Sequence, residues 1–161
     1  MKKISAVVIG DSISPSGDRI TTMLMTFPRS ILAELNTHRM FSRNSSSSRA
    51  IPFNKMVQTV IDEPFIPIAW QKNHKGMQGN EYFTDPEMIE ILINQWLEGS
   101  KEAVLRAKII HETGVTKQIC NRLIEPFMWH TALVSATEFS NFFEQRLPVY
   151  EIDLDNLDSL K

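Results

Sequence analysis

Residues 85 to 114 set the scale of the fold. Asp85-Pro86 opens the segment and Gly114 closes it, with Met88, Leu92, Trp96, Ala103, Ala107 and Ile110 recurring near helical spacing between them. Proline is tolerated at a first helical position, where its missing N–H costs nothing, and glycine suits the residue just past a helix end. A single helix of this length is about 40 Å long. In a chain of 161 residues it must lie across one domain, because length over roughly 150 is the usual prior for domain count.

The flanking segments alternate in type. KKISAVVIGDSIS is rich in β-branched residues and runs into a Ser-Pro-Ser-Gly turn, and RITTMLMTF repeats the pattern, so both read as strands. Pro28 then suits the first turn of a helix, and Ile31, Leu32, Leu35 and Met40 give it an apolar stripe from about Arg29 to Met40. On that helix Glu34 and His38 share a face, the His38-Arg39 pair occupies the last turn, and a serine loop begins where the helix stops. NKMVQTVID predicts a short helix, and FIPIAWQKNHKGMQGNEYF, residues 65 to 83, a long ordered loop. VTKQICNRLIE predicts a further helix ended by Pro126, FMWHTALVSATEF a strand, and SNFFEQR the start of another helix. Strands interleaved with helices indicate an α/β or α+β layered domain.

Apolar residues make up 42% of the chain, with nine Phe and three Trp, and 22% are charged, which suits a packed core and excludes wholesale disorder. The apolar run in MKKISAVVIG ends at Gly10-Asp11, too short for a signal peptide, and no stretch reaches the ~20 apolar residues of a membrane span. Cys120 is the only cysteine, so no internal disulfide forms, in keeping with a reducing cytoplasm. The net charge of −2 draws the chain to neither nucleic acid nor membrane as a whole. Its distribution is uneven. No acid lies between Glu34 and Asp62, where Arg39, Arg43, Arg49, Lys55 and His38 fall, whereas the end carries Glu144, Glu151, Asp153, Asp155 and Asp158.

The stretch THRMFSRNSSSSRAIP, residues 37 to 52, holds the chemistry most open to argument. Serine runs between arginines are commonly solvated linkers or phosphorylation sites. This run is short, lacks glycine and leads straight into the apolar AIPF. Its hydroxyls, its Asn44 amide and its guanidiniums form a donor-rich surface, and arginine forks match phosphate oxygens. Neither the Gly-x-x-x-x-Gly-Lys of a P-loop nor the Gly-x-Gly-x-x-Gly of a dinucleotide turn is present. His74, His111 and His130 lack metal-ligand spacing. Cys120 lies in an apolar helix segment, where a cysteine is usually inert, and Ser47 has only His38 nearby as a base, which favours an anchoring role for it.

THRMFSRNSSSSR also resembles the signature R-H-R-x-x-S-x-N-x-x-S-x-R of the flavin-dependent thymidylate synthases. It matches six of seven fixed positions, His38, Arg39, Ser42, Asn44, Ser47 and Arg49, with Thr37 in place of the first arginine. The wider text PRSILAELNTHRMFSRNSSSSRAIP, with NHKGMQG, GVTKQICNRLIEPF and ATEFSNFFEQR, is similar to phage-type members, from about Asp11 to Arg146. The resemblance implies a layered domain over residues 1–146 with a central, mostly antiparallel sheet flanked by helices. It implies methylation of dUMP to dTMP with methylene-tetrahydrofolate, reduced FAD as hydride carrier and NADPH as reductant, in a homotetramer whose sites form between subunits.

Carried over by position, Ser47, Ser48 and Arg49 would hold dUMP together with Glu34 and Arg122. Arg146 would stabilise charge on the uracil ring, acting with Ser47 at the reacting end. His38, Arg39, Asn44 and Asn141 would face the flavin. No metal, membrane or nucleic acid is implied, and the location would be cytoplasmic, that of a host if phage-encoded. The family's closing A-Q-x-E-I-R helix is expected to be missing, because LPVYEIDLDNLDSLK, residues 147–161, is a divergent acidic tail. On the residues alone, other readings stay open. His38 can be a helix-end residue, Arg122 can pair with Glu125, and Asn141 can cap a helix. The chain can be an inactive fragment, or a binding module that grips a nucleic-acid backbone through Arg39, Arg43 and Arg49.

Overall fold

The computed structural model describes residues 4–47, 49–76 and 79–145. Four antiparallel strands form one sheet in the order β1-β2-β4-β3. β1 (Ser5–Ile13) and β2 (Arg19–Pro28) are a hairpin, its turn closed by Ser14 and Asp18 with Gly17 in the left-handed region at φ 93°. β4 (Trp129–Ala136) lies beside β2, and β3 (Ser42–Ser45) beside β4. The helices are α1 (Leu32–Leu35), α2 (Phe53–Asp62), α3 (Pro86–Glu112), α4 (Lys117–Ile124) and α5 (Ser140–Glu144). The expectation of an antiparallel sheet flanked by helices holds.

Two apolar cores result. Strand alternation turns Ala132, Val134 and Ala136 of β4 inward with Phe27, and Leu32, Leu35, Phe41, Phe139 and Phe142 pack against them. The second core lies among the helices: Phe53, Met56, Val57 and Val60 of α2 meet Val104 and Ala107 of α3 and Cys120 and Ile124 of α4. Met128, just before β4, belongs to this helical core, so the start of β4 is where the two cores join. α3 runs uninterrupted as its apolar spacing predicts, and Gly114, at φ 89°, takes the backbone turn that ends it.

Two local expectations are overturned. The helix drawn from Arg29 to Met40 is a 3-10 turn at Arg29–Ile31 followed by one turn of α-helix, Leu32–Leu35. Beyond Leu35 the backbone takes tight i+3 bonds, Thr37 N–H to the Glu34 carbonyl at 3.1 Å and His38 N–H to the Leu35 carbonyl at 3.2 Å, and the Thr37 hydroxyl joins the Glu34 carbonyl at 2.7 Å. Met40 is 73% exposed and lies outside the packed stripe, and His38-Arg39 fall beyond the helix instead of in its last turn. Pro28 ends β2, opposite Trp129, and does not start the helix.

The serine tract, expected as a loop, begins as a strand. Ser42, Arg43, Asn44 and Ser45 pair with Ser135, Val134, Leu133 and Ala132, because the far edge of β4 offers backbone groups that need partners. The described part of the segment between α2 and α3 is tied down by hydrogen-bonded contacts. Gln71 bridges Tyr82, Phe83 N–H bonds the Trp70 carbonyl, and Trp96 Nε1 donates to the Phe65 carbonyl at 2.7 Å.

Candidate functional site

The tract from Ser42 to Arg49 lies on the surface along the sheet edge, with every described residue exposed. Past β3 it bends into a turn in which the Arg49 N–H donates to Ser47 Oγ at 3.1 Å and the Ala50 N–H to the Ser47 carbonyl at 3.0 Å. The Ser47 oxygen is thereby fixed, and its own proton stays available to a ligand oxygen. Strand pairing sets the direction of each side chain. Ser42 and Asn44 lie opposite Ser135 and Leu133 on the outer face, and Arg43 and Ser45 opposite inward-facing residues. Arg43 Nη1 donates to the Leu35 carbonyl at 2.9 Å, so this guanidinium closes α1.

The other predicted residues fall into two groups. Arg122, exposed on α4, borders a cleft of about 400 Å³ with Ala33 and Asn36, which flank Glu34 on the α1 side. Its anticipated pairing with Glu125 does not occur, because Glu125 faces Arg29 at 3.4 Å, and Arg122 makes no ion pair among the described residues. The half-buried His38 ring packs on Phe41 at 5.5 Å and edge-on to Phe142 at 5.1 Å, which sets His38 beside α5, the helix of Asn141. The Asn141 side-chain Oδ1 accepts from Gln145 Nε2 at 2.9 Å instead of capping the helix start. Glu138 provides that service: its carboxylate accepts the Ser140 N–H at 2.5 Å, and the Ser140 hydrogen bonds hold its pKa below the ordinary range. Arg39 is exposed. Ser48 and Arg146 lie outside the described residues, as do residues 147–161.

Sequence reasoning missed the centre of this region. Arg29 side-chain exposure is 16%, and its backbone N–H bonds the Met128 carbonyl at 2.8 Å. Its Nη1 meets His130 Nδ1 at 3.0 Å and its Nη2 reaches Glu125. His130 is 5% exposed, and burial first, then the Arg29 cation, lowers its pKa to about 4, so the ring is neutral at physiological pH. The signal was the arginine directly after Pro28, at the junction of strand and helix. The expected helix started at that position and left it outside the apolar stripe, and only the pairing of β2 with β4 brings it against His130 and largely buries it. Cys120 is fully buried, donates to the Val115 carbonyl and lines no part of these clefts, as expected of an inert thiol. Among the described residues no three His, Cys, Asp or Glu gather to hold a metal, and no helix is long and apolar enough to cross a membrane.

No protein-family model matches the chain, and no curated protein matches it. Solved structures do. A UMP/dUMP methylase, PolB from Streptomyces cacaoi, bound with 5-Br dUMP, superposes over 73% of this chain and 49% of its own, with a TM-score of 0.56 and 13% identity. The same methylase bound with 5-Br UMP superposes over 84% of this chain and 72% of its own, with a TM-score of 0.64 and 13% identity. The chain thus spans about half the length of one of these neighbours, and what they share with it is the fold.

Proposed function

We propose that this chain is a nucleotide-methylating protein of the flavin-dependent thymidylate synthase kind, acting on dUMP to give dTMP. The observation that carries the reading is the Ser47–Arg49 turn: a fixed hydroxyl oxygen next to an exposed guanidinium, inside a 13-residue stretch that matches the family signature, on a fold similar to that of a UMP/dUMP methylase. The PolB crystals held brominated dUMP and UMP, which supports a pyrimidine mononucleotide as the ligand class.

In this reading Ser47, the backbone at Ser48, and Arg49 bind the nucleotide, and Arg122 meets it from α4 with Glu34 nearby. Arg146 places a cation against the uracil, where charge builds during methyl transfer. With no general base shown at Ser47, its hydroxyl orients the ring and does not attack it. His38, Arg39, Asn44 and Asn141 are the groups for FAD. The donor set fits an anionic, hydrogen-bonding cofactor: an imidazole on an aromatic shelf, a guanidinium and two amides, all near exposed surface. When bound, FAD supplies the hydride, taken from NADPH, that reduces the one-carbon unit from methylene-tetrahydrofolate. The protein's part is to orient the nucleotide and shield it from water. These groups open outward from one chain, which supports sites completed by neighbouring subunits of a homotetramer. For the alternative of a nucleic-acid grip, one of the three guanidiniums, that of Arg43, has its Nη1 already committed to the Leu35 carbonyl.

The test is direct. Purified protein mixed with FAD takes on flavin absorbance, and adding dUMP perturbs that band. With methylene-tetrahydrofolate and NADPH, dTMP accumulates. A protein that ignores both FAD and dUMP rules the reading out.

A further inference from the structure

Arg29 is the wall shared by two cavities. The cleft of Arg122 lies on one side, bordered also by Glu125. On the other side, behind the serine tract, is a cavity of about 170 Å³. Ser46, His130 and Thr131 give it polar groups, and Ile51, Met56 and Met128 give it apolar ones. No carboxylate lines it among the described residues. Arg29 is mostly buried, yet its carboxylate partner stands 3.4 Å away, long for a charge-assisted bond, whose usual length is about 2.8 Å. A buried cation so loosely matched retains attraction for a further anion.

The histidine adds a donor. Arginine has no acceptor, so the shorter contact, 3.0 Å, takes His130 Nδ1 as acceptor and puts the ring proton on Nε2, which itself stands 3.5 Å from the same Arg29 Nη1. The cavity wall therefore combines a guanidinium, an imidazole N–H and the Ser46 hydroxyl with an apolar remainder.

We propose that this cavity is an oxyanion subsite, taking one phosphate or carboxylate group on Arg29, His130 and Ser46. It adjoins the Ser47–Arg49 turn through Ser46 but shares no residue with it, and it does not depend on the methylation reading. The group could be a free anion or the phosphate of a mononucleotide, and the two are separable by competition.

The experiment titrates inorganic phosphate into the full chain at fixed ionic strength, by calorimetry and by phosphorus NMR, with and without saturating dUMP. Wild-type protein binds phosphate, Arg29→Met weakens binding by about tenfold or more, Ser46→Val weakens it several-fold, and Lys101→Ala, on the far surface of α3, leaves it unchanged. Arg29→Lys keeps part of the affinity. If dUMP displaces the phosphate, the occupant is the nucleotide's own phosphate; if both bind together, it is a free anion. Wild-type protein that binds no phosphate, or equal affinity in the wild type and both Arg29→Met and Ser46→Val, overturns the proposal. Should Arg29→Met fail to fold, Ser46→Val decides the matter, since Ser46 is exposed and outside both cores.

Discussion

The Arg29 guanidinium donates to His130 Nδ1 at 3.0 Å, across 101 residues of sequence, at the point where the sheet core meets the helical core. The bond requires a neutral imidazole, and burial first, then the Arg29 cation, keeps the ring in that form.

The pKa of His130 lies at about 4 in the folded chain and near its ordinary value of 6.5 when unfolded. Above pH 6.5 both states are neutral at this residue and it contributes no pH dependence. As pH falls from 6.5 towards 4 the unfolded state takes up the proton first, so stability declines, and below about 4 the decline from this group levels off. Urea denaturation at pH 7 and pH 5 should show the loss, and His130→Gln should reduce the difference between the two. An unchanged difference in that variant would assign the acid sensitivity elsewhere.

Arg49→Ala should abolish dUMP binding measured by calorimetry while the melting temperature moves little, because the residue is exposed. Ser47→Ala removes both the acceptor of the Arg49 N–H and a ligand donor, and should weaken binding by about tenfold. A variant pair that binds as wild type would place the nucleotide elsewhere.

Cys120 and Ile124 are both fully buried in the helical core, and they separate stability from chemistry. Ile124→Ala should cost about 2–5 kcal/mol. Cys120→Ala, a smaller deletion, should cost less and leave dTMP formation largely intact. Loss of turnover in a Cys120→Ala protein that remains folded would reopen a thiol mechanism.

All nine residues of β1 are exposed, with Val7, Val8 and Ile9 more than half so, and Ile20 and Leu24 of β2 are exposed beside them. If the chain assembles through this hairpin, Val8→Lys should lower the mass measured by light scattering without loss of helical circular dichroism. A tetramer that survives the substitution would direct attention to other apolar surface, such as Ile91 and Leu105 on α3.

Much of this architecture was legible from spacing. α3 follows from the spacing of Trp96 and Ala107, α4 from VTKQICNRLIE ahead of Pro126, and β4 from its apolar, β-branched run, although its alternation shows only in the structure. The errors cluster between Pro28 and Ser45. There the Arg43 guanidinium takes the Leu35 carbonyl, an acceptor that helical periodicity assigns to the backbone, and Ser42–Ser45 gain strand structure only because β4 lies alongside. Both are long-range or side-chain effects that a local pattern does not carry. The same holds for Arg29, whose partners Glu125 and His130 are about a hundred residues distant. The serine tract was recognisable as chemistry before its conformation was known, because donor type is written in composition and strand pairing is not.

The alignment of Ser42–Ser45 on β4 acts as a vernier for the surface it presents. With side chains alternating every residue, a slip of one place would send Asn44 inward and free Arg43 from the Leu35 carbonyl, exchanging an amide for a cation on the outer side. Val134 and Leu133, neither of them a binding residue, therefore dictate the polarity that an approaching molecule meets.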